Sequence, residues 1–168
     1  MDYTWHYQSP IGGITMASDG EAIIGLWFDG QQYVPDVLDQ EHQERLLPVF
    51  EATCRWLGIY FSGKEPDFTP PLSLRTTRFR KRVWQILLSI PYGKTMTYGE
   101  IAELLAREMS LKKMSAQAVG GAVGHNAISL IIPCHRVVGT NGQLTGYAGG
   151  LDKKQRLLDL EKTNSSVR

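Results

Sequence analysis

Cys134 and His135, set between Pro133 and Arg136-Val137-Val138, are the residues whose types and spacing most directly suggest a reaction. The thiolate, not the thiol, is the nucleophile of cysteine chemistry, and an adjacent imidazole is the usual route to one at neutral pH. The flanks suit a sulfur that is held rigidly yet reached. Ser129-Leu130-Ile131-Ile132 reads as a short buried apolar run, and Gly139-Thr140-Asn141-Gly142 as a turn. Chemistry alone leaves a second reading open, a buried cysteine beside a hydrogen-bonded histidine that does nothing.

The rest of the chain must position that pair. At 168 residues it can form one domain or two small ones and bury a modest core. Residues 3–7, 13–17 and 22–28 read as short strands, punctuated by Gly12-Gly13 and Asp19-Gly20 as hairpin turns. Between 40 and 61, Leu46, Leu47, Phe50, Cys54, Leu57 and Phe61 lie close to helical spacing, with Cys54 on the apolar face as a core residue. Gly63 through Pro71 is linker-like. Beyond it, Thr77 caps a helix running to about Ser89 with Phe79, Val83, Trp84, Ile86 and Leu87 mostly inward. Thr97 and Glu100 form a capping box for a helix carrying Ile101, Ala102, Leu104 and Leu105. Ser115 caps a third, rich in Ala and Gly, to about Gly124. Two helices in series make a helix-turn-helix-like pair whose small residues either pack on the protein's own core or press into a DNA groove.

Charge divides the chain. Residues 1–70 carry three Lys/Arg against eleven Asp/Glu, a net of −8; residues 71–168 carry fifteen against six, a net of +9. Arg75, Arg78, Arg80, Lys81 and Arg82 form the densest cluster, with Lys112 and Lys113 further on. A basic half that also holds the reactive cysteine points to phosphate contacts. No apolar run approaches the length of a membrane helix, and the N-terminus has no signal-peptide pattern. Two distant cysteines imply no disulfide framework and a reducing, cytoplasmic setting. The four histidines show no ligand spacing and there is no Cys-x-x-Cys, so no metal is expected.

Together with Asn126 upstream and Gly146-Tyr147-Ala148-Gly149-Gly150 downstream, the Cys-His segment resembles the active-site block of the O6-alkylguanine-DNA alkyltransferases, or methylated-DNA–protein-cysteine methyltransferases. The likeness continues through Val83-Trp84, Ile90-Pro91-Tyr92-Gly93, residues 97–102, residues 118–122 and Glu161, and more loosely through Ser9-Pro10-Ile11-Gly12. It implies an α+β fold. An acidic N-terminal domain over 1–73, with a small antiparallel sheet and helix (ribonuclease H-like), precedes a basic, mostly helical, winged-helix-like domain with a helix-turn-helix over 74–162. A tail follows over 163–168.

The resemblance also assigns roles. Cys134 matches the acceptor of an alkyl group from guanine O6, His135 the base acting through a water, Glu161 the carboxylate that orients the imidazole, and Tyr98 the phenol that protonates the leaving guanine. Val137 matches a base-reading carbonyl. Tyr147 and Ala148 match the loop that closes over the base, and Asn126 the asparagine tying the helix-turn-helix to the active-site strand and the substrate pocket. The family flips the base out of the duplex and binds through the minor groove. Ser115, Ala116 and Gln117, with Arg80 and Arg82, are the expected DNA contacts. Gln117 stands where the family normally has an arginine, a departure in charge and stacking plane. The implied activity is single-turnover and cofactor-free. Its partner is double-stranded, and also single-stranded, DNA carrying O6-alkylguanine, and the acting form is a monomer. A non-catalytic lesion-sensing DNA binder and a cysteine hydrolase are the rival readings.

Overall fold

The structure is a computed structural model that describes residues 1–31 and 34–165. It divides into two compact units, residues 1–75 with 127–131, and residues 76–126 with those from 132 onward. The second unit therefore begins at Thr76, near the boundary read from the sequence, but five residues between Asn126 and Ile132 belong to the first.

In the first unit β1 (Asp2–Ser9), β2 (Gly12–Ser18) and β3 (Ile23–Phe28) form an antiparallel meander. A fourth strand, β4 (His42–Glu44), runs parallel to β1, so the sheet is mixed rather than wholly antiparallel, in the order β3-β2-β1-β4. Gly12 (φ 128°) and Gly20 (φ 113°) supply the turn conformations that side chains avoid. Every residue of β3 is buried. Its outer edge is covered by chain: Ile23 bridges Leu72, and Leu26 exchanges hydrogen bonds with Ala127 and Ser129.

The helical reading of 40–61 holds only from Pro48, because α1 spans Pro48–Phe61 and residues 42–44 are strand. Proline at the first helical position loses no bond the helix would make, and it drives Leu47 extended (φ −110°, ψ 157°). The buried face of α1 is Val49, Phe50, Thr53, Trp56, Leu57 and Tyr60. Cys54 lies at its edge, half-buried, so the expected core cysteine is a boundary one.

The second unit bears out its three capped helices. In α2 (Arg78–Leu88) Thr77 accepts from Arg80 N; in α3 (Tyr98–Glu108) both bonds of the Thr97–Glu100 capping box are present; in α4 (Ala116–Gly124) Ser115 accepts from Ala118 N. α4 packs on both α2 and α3, and the indole of Trp84 donates to Ala122 O at 2.8 Å. A two-stranded parallel sheet, β5 (Met96–Thr97) with β6 (Val137–Val138), joins the start of α3 to the segment after Cys134. The chain closes with α5 (Leu151–Ser165), a helix the sequence pattern does not announce. It runs through the first half of the expected tail; the remainder of that tail lies outside the described residues.

Candidate active site

Cys134 opens a single 3₁₀ turn, Cys134–Arg136, immediately before β6. The stretch before it is not a strand. Ile131 N donates back to Ser129 O at 2.8 Å and Leu130 sits at φ 70°, so residues 129–131 form a tight turn with all side chains buried. Asn126 reaches across this turn, Nδ2 to Ile132 O at 2.8 Å. That bond ties the end of the helix-turn-helix to the approach to Cys134.

The cysteine is 7% exposed and its neighbour His135 is fully buried. Nε2 of His135 lies 2.5 Å from Glu161 Oε2, delivered by α5. An ionised carboxylate only accepts, so Nε2 carries the proton and Nδ1 keeps the basic lone pair. Burial pulls the His135 pKa below its usual range and outweighs the carboxylate beside it. The ring is therefore a neutral base at pH 7.

Glu161 is itself buried and is the hub of the site. Burial pushes its pKa up, but the hydrogen bond from His135 and the guanidinium of Arg136 more than offset that and hold it well below the carboxylate range. Arg136 Nε donates to Oε1 at 2.7 Å and Nη2 to Oε2 at 3.2 Å, while Gly93 N adds a bond to Oε1 at 3.1 Å. The guanidinium is fixed in turn by Ile90 O at 2.8 Å and lies 5.6 Å from the Tyr92 ring centroid. With both carboxylate oxygens engaged, the carboxylate is fixed and the Nε2 edge of the imidazole is held against it.

A second buried charge, Lys154 of α5, is fully inaccessible; its Nζ donates to Thr145 O at 2.9 Å and Gly146 O at 3.5 Å. Burial lowers its pKa to about 8, only partly opposed by its electrostatic interaction with Cys134. Thr145 also donates through Oγ1 to the Tyr98 phenol oxygen at 3.1 Å. The glycine-rich loop that carries Tyr147 and Ala148 is thus gripped by a lysine on one side and a tyrosine on the other.

Sequence reasoning named Cys134, His135, Glu161, Tyr98, Val137 and the loop, all of which lie in this one unit. It gave no role to Arg136 or Lys154. Arg136 follows His135 directly, and that adjacency was the available signal; Lys154 had none, since a lysine on a polar helix reads as solvated. Of the expected DNA contacts, Ser115, Ala116 and Gln117 are exposed at the start of α4. Gly121 and Gly124, further along the same helix, face open space. Arg80 is half-buried on α2, and Arg82 is already paired, its Nε 2.8 Å from Glu108 Oε2. Arg75, counted in the basic cluster, belongs to the first unit, where it grips Asp2 through two nitrogens at 2.8 and 2.9 Å. Its charge is spent there and leaves the cluster smaller than the sequence suggests.

The chain is similar over most of its length to proteins of known family. Residues 78–163 match the family described as 6-O-methylguanine DNA methyltransferase, DNA binding domain, and residues 3–74 the ribonuclease-like domain of the same proteins. The methylated-DNA–protein-cysteine methyltransferase of Mycobacterium tuberculosis is 42% identical over 163 residues, covering 95% of this chain and 94% of the relative. That of Haemophilus influenzae is 42% identical over 161 residues, covering 95% and 86%. Among solved structures, M. tuberculosis OGT in complex with DNA superposes with a TM-score of 0.80 at 40% identity, covering 97% of this chain and 93% of that one. An O6-methylguanine DNA methyltransferase from Methanococcus jannaschii gives 0.63 at 30% identity, covering 94% and 93%.

Proposed function

The chain belongs to the 6-O-methylguanine DNA methyltransferase family, and from that membership and the geometry of the site we propose that it repairs DNA by taking the alkyl group of O6-alkylguanine irreversibly onto Cys134. The observation that carries this reading is the buried cysteine followed directly by an imidazole whose Nε2 is held 2.5 Å from a fully engaged carboxylate. His135, neutral and oriented, withdraws the thiol proton through Nδ1, directly or across one water. The thiolate attacks the alkyl carbon, the C–O6 bond breaks, and Tyr98 supplies the proton that makes guanine a competent leaving group. Glu161 acts through His135 and is a positioning residue, held by Arg136 and Gly93.

The sulfur of a cysteine that is 7% exposed cannot meet O6 inside a stacked duplex, so the base leaves the helix at a cost of roughly a few kcal/mol. The exposed start of α4, with the open faces at Gly121 and Gly124, is the surface for a minor groove, and Gln117 is the side chain placed to fill the gap in the stack. The backbone of Val137, with Tyr147 and Ala148 on the loop, frames the flipped guanine. Arg80 meets phosphate; Arg82 does so only by giving up Glu108. The protein works as a cytoplasmic monomer on double-stranded DNA and accepts single strands. An S-alkylcysteine is a thioether with no leaving group for water to displace, so each chain reacts once and needs no cofactor.

Intact-protein mass after incubation with a short duplex bearing one O6-methylguanine tests the reading, with Cys134→Ala in parallel. A gain of one methyl group per chain, absent in the variant, is expected. Tight lesion binding with no mass gain would make the protein a damage sensor. Neither binding nor transfer, with turnover on esters or amides, would make it a hydrolase.

A further inference from the structure

Three ionisable side chains meet in the sealed part of the second unit: His135 is fully buried, Glu161 is 1% exposed and Arg136 9%. The carboxylate lies 2.5 Å from His135 Nε2 and takes Arg136 Nε at 2.7 Å and Nη2 at 3.2 Å. The remaining guanidinium nitrogen, Nη1, is fixed on Ile90 O at 2.8 Å, and the Tyr92 ring lies against the cation at 5.6 Å. A carboxylate in so dry a place keeps its charge only beside a cation. Without one, two rearrangements are open to the pair. Glu161 can take up a proton and donate it to Nε2, so that the imidazole's own hydrogen sits on Nδ1. Alternatively, the uncompensated carboxylate draws a second proton onto the ring, and His135 becomes an imidazolium. Neither form has a lone pair on Nδ1 to receive the thiol proton.

We propose that Arg136 is a positioning residue for the alkyl transfer and acts through its charge: the guanidinium keeps Glu161 in the ionised, accepting form, and so fixes a neutral His135 with its hydrogen on Nε2 and its lone pair on Nδ1. This deepens the alkyl-acceptor reading and rests on it. A guanidinium suits the task because it keeps its charge and its planar fork spans both carboxylate oxygens, as a point cation does not. With Arg136 in place, the carboxylate, the guanidinium and the neutral ring sum to zero charge inside the sealed site. The charged groups that act on the imidazole are Glu161 and Lys154 from α5 and Arg136 beside it in the 3₁₀ turn. Both cations work against a second proton on the ring, and the carboxylate works for one. When the thiol proton passes from Cys134 Sγ to Nδ1, the ring becomes an imidazolium and the carboxylate at Nε2 stabilises it. Arg136 holds the ring ready for that step and takes no part in the proton transfer itself.

Nitrogen chemical shifts of the His135 ring in the full chain, read between pH 5 and pH 9, report its charge and which nitrogen holds the hydrogen. Single-turnover rates on a duplex with one O6-methylguanine, over the same range, report the base at work. Wild type is expected to hold a neutral ring at pH 7 with its hydrogen on Nε2. Arg136→Gln keeps a donor for Glu161 but loses the charge. Its ring should be an imidazolium or carry its hydrogen on Nδ1, and the pH below which transfer fails should rise by about 1–3 units. Arg136→Lys keeps the charge and gives up the fork, so its spectrum and its pH limit should match wild type even where its plateau rate is lower. A role in packing alone predicts slower transfer in both variants with the ring and the pH limit unchanged, and that result overturns the proposal. So does an imidazolium in wild type at pH 7. Should Arg136→Gln not fold, the lysine variant decides: a ring that matches wild type upholds the charge role, and a protonated or reversed one overturns it. Failure of wild type to take up a methyl group would sink the acceptor reading alone, because the nitrogen shifts need no substrate and would still decide the role of Arg136.

Discussion

Two carboxylates are buried to the same degree in this molecule, Asp2 in the first unit and Glu161 in the second, each 1% exposed and each gripped by an arginine. Their other partners separate them. Asp2 takes the backbone N–H of Asp39 at 2.8 Å, and its Arg75, itself about a third exposed, donates to Val37 O at 3.0 Å. The ion pair thus binds β1 to the long connection that precedes β4. Glu161 takes an imidazole whose ring follows a cysteine, and its Arg136 is nearly sealed. The same pair chemistry fastens chain in one unit and aims a base in the other. Burial of a charge is therefore not enough to identify a site; the difference lies in what the carboxylate holds besides its arginine.

The strongest way to break this comparison is to neutralise Glu161. Glu161→Gln can still accept from His135 but leaves Arg136 buried without its counter-charge. Breaking a buried pair costs about 3–5 kcal/mol, a fall of roughly 10 °C in melting temperature for a chain of this size. Because the imidazole loses the negative charge that supports its protonated form, methyl transfer slows by roughly 10²–10⁴. Asp2→Asn leaves the transfer rate where it was. Single-turnover rates of the two variants on one oligonucleotide make the test. Equal rates would erase the distinction drawn between the two carboxylates.

Acid separates the units more gently. His135 is depressed by burial, so its contribution is fully present above its unfolded value of 6.5 and drains away as pH falls below that. Glu161, depressed as well, adds a loss that begins as pH drops below 4.5, and Asp2 one that begins only below 3.8. Between pH 6.5 and 4.5 the second unit should loosen while the first is unaffected. Residue-resolved hydrogen exchange at pH 5 and pH 7 checks it, comparing amides around Trp84 with those around Trp27. Equal acceleration in both would place the acid-sensitive group elsewhere.

What was legible in the sequence follows the same division. Caps are local, and Thr77, Thr97 with Glu100, and Ser115 are where their spacing puts them. The Cys-His segment and Glu161 were legible through family resemblance. α5 was not, and its burial explains why. The stripe it turns inward is Lys154, Leu157 and Glu161, spaced three and four apart as a core face should be, but two of the three are charged. Apolar periodicity is blind to a helix whose inner face is built from ions. The turn at 129–131 escaped for another reason. Its residues are apolar and buried as read, yet nothing in a run of Ser-Leu-Ile-Ile signals that Leu130 takes a left-handed conformation. Pro48 was a readable stop signal, overridden by apolar spacing on both sides of it.

The smallest effect expected is at Asp2 itself, and it sharpens the comparison from the other end. Asn at this position keeps an oxygen for Asp39 N and for one Arg75 nitrogen, and Arg75, with about a third of its side chain in solvent, is rehydrated once its partner is neutral. The loss is then that of a rim ion pair, about 1 kcal/mol or less, against several for Glu161→Gln. It should be accompanied by faster hydrogen exchange at Asp39, whose amide the carboxylate holds directly. A urea midpoint shift for Asp2→Asn as large as that for Glu161→Gln would mean that the carboxylate's own burial sets the cost. A small shift confined to Asp39 and its neighbours would mean that the exposure of the partner sets it, and that the first unit uses the Asp2–Arg75 pair as a fastener only.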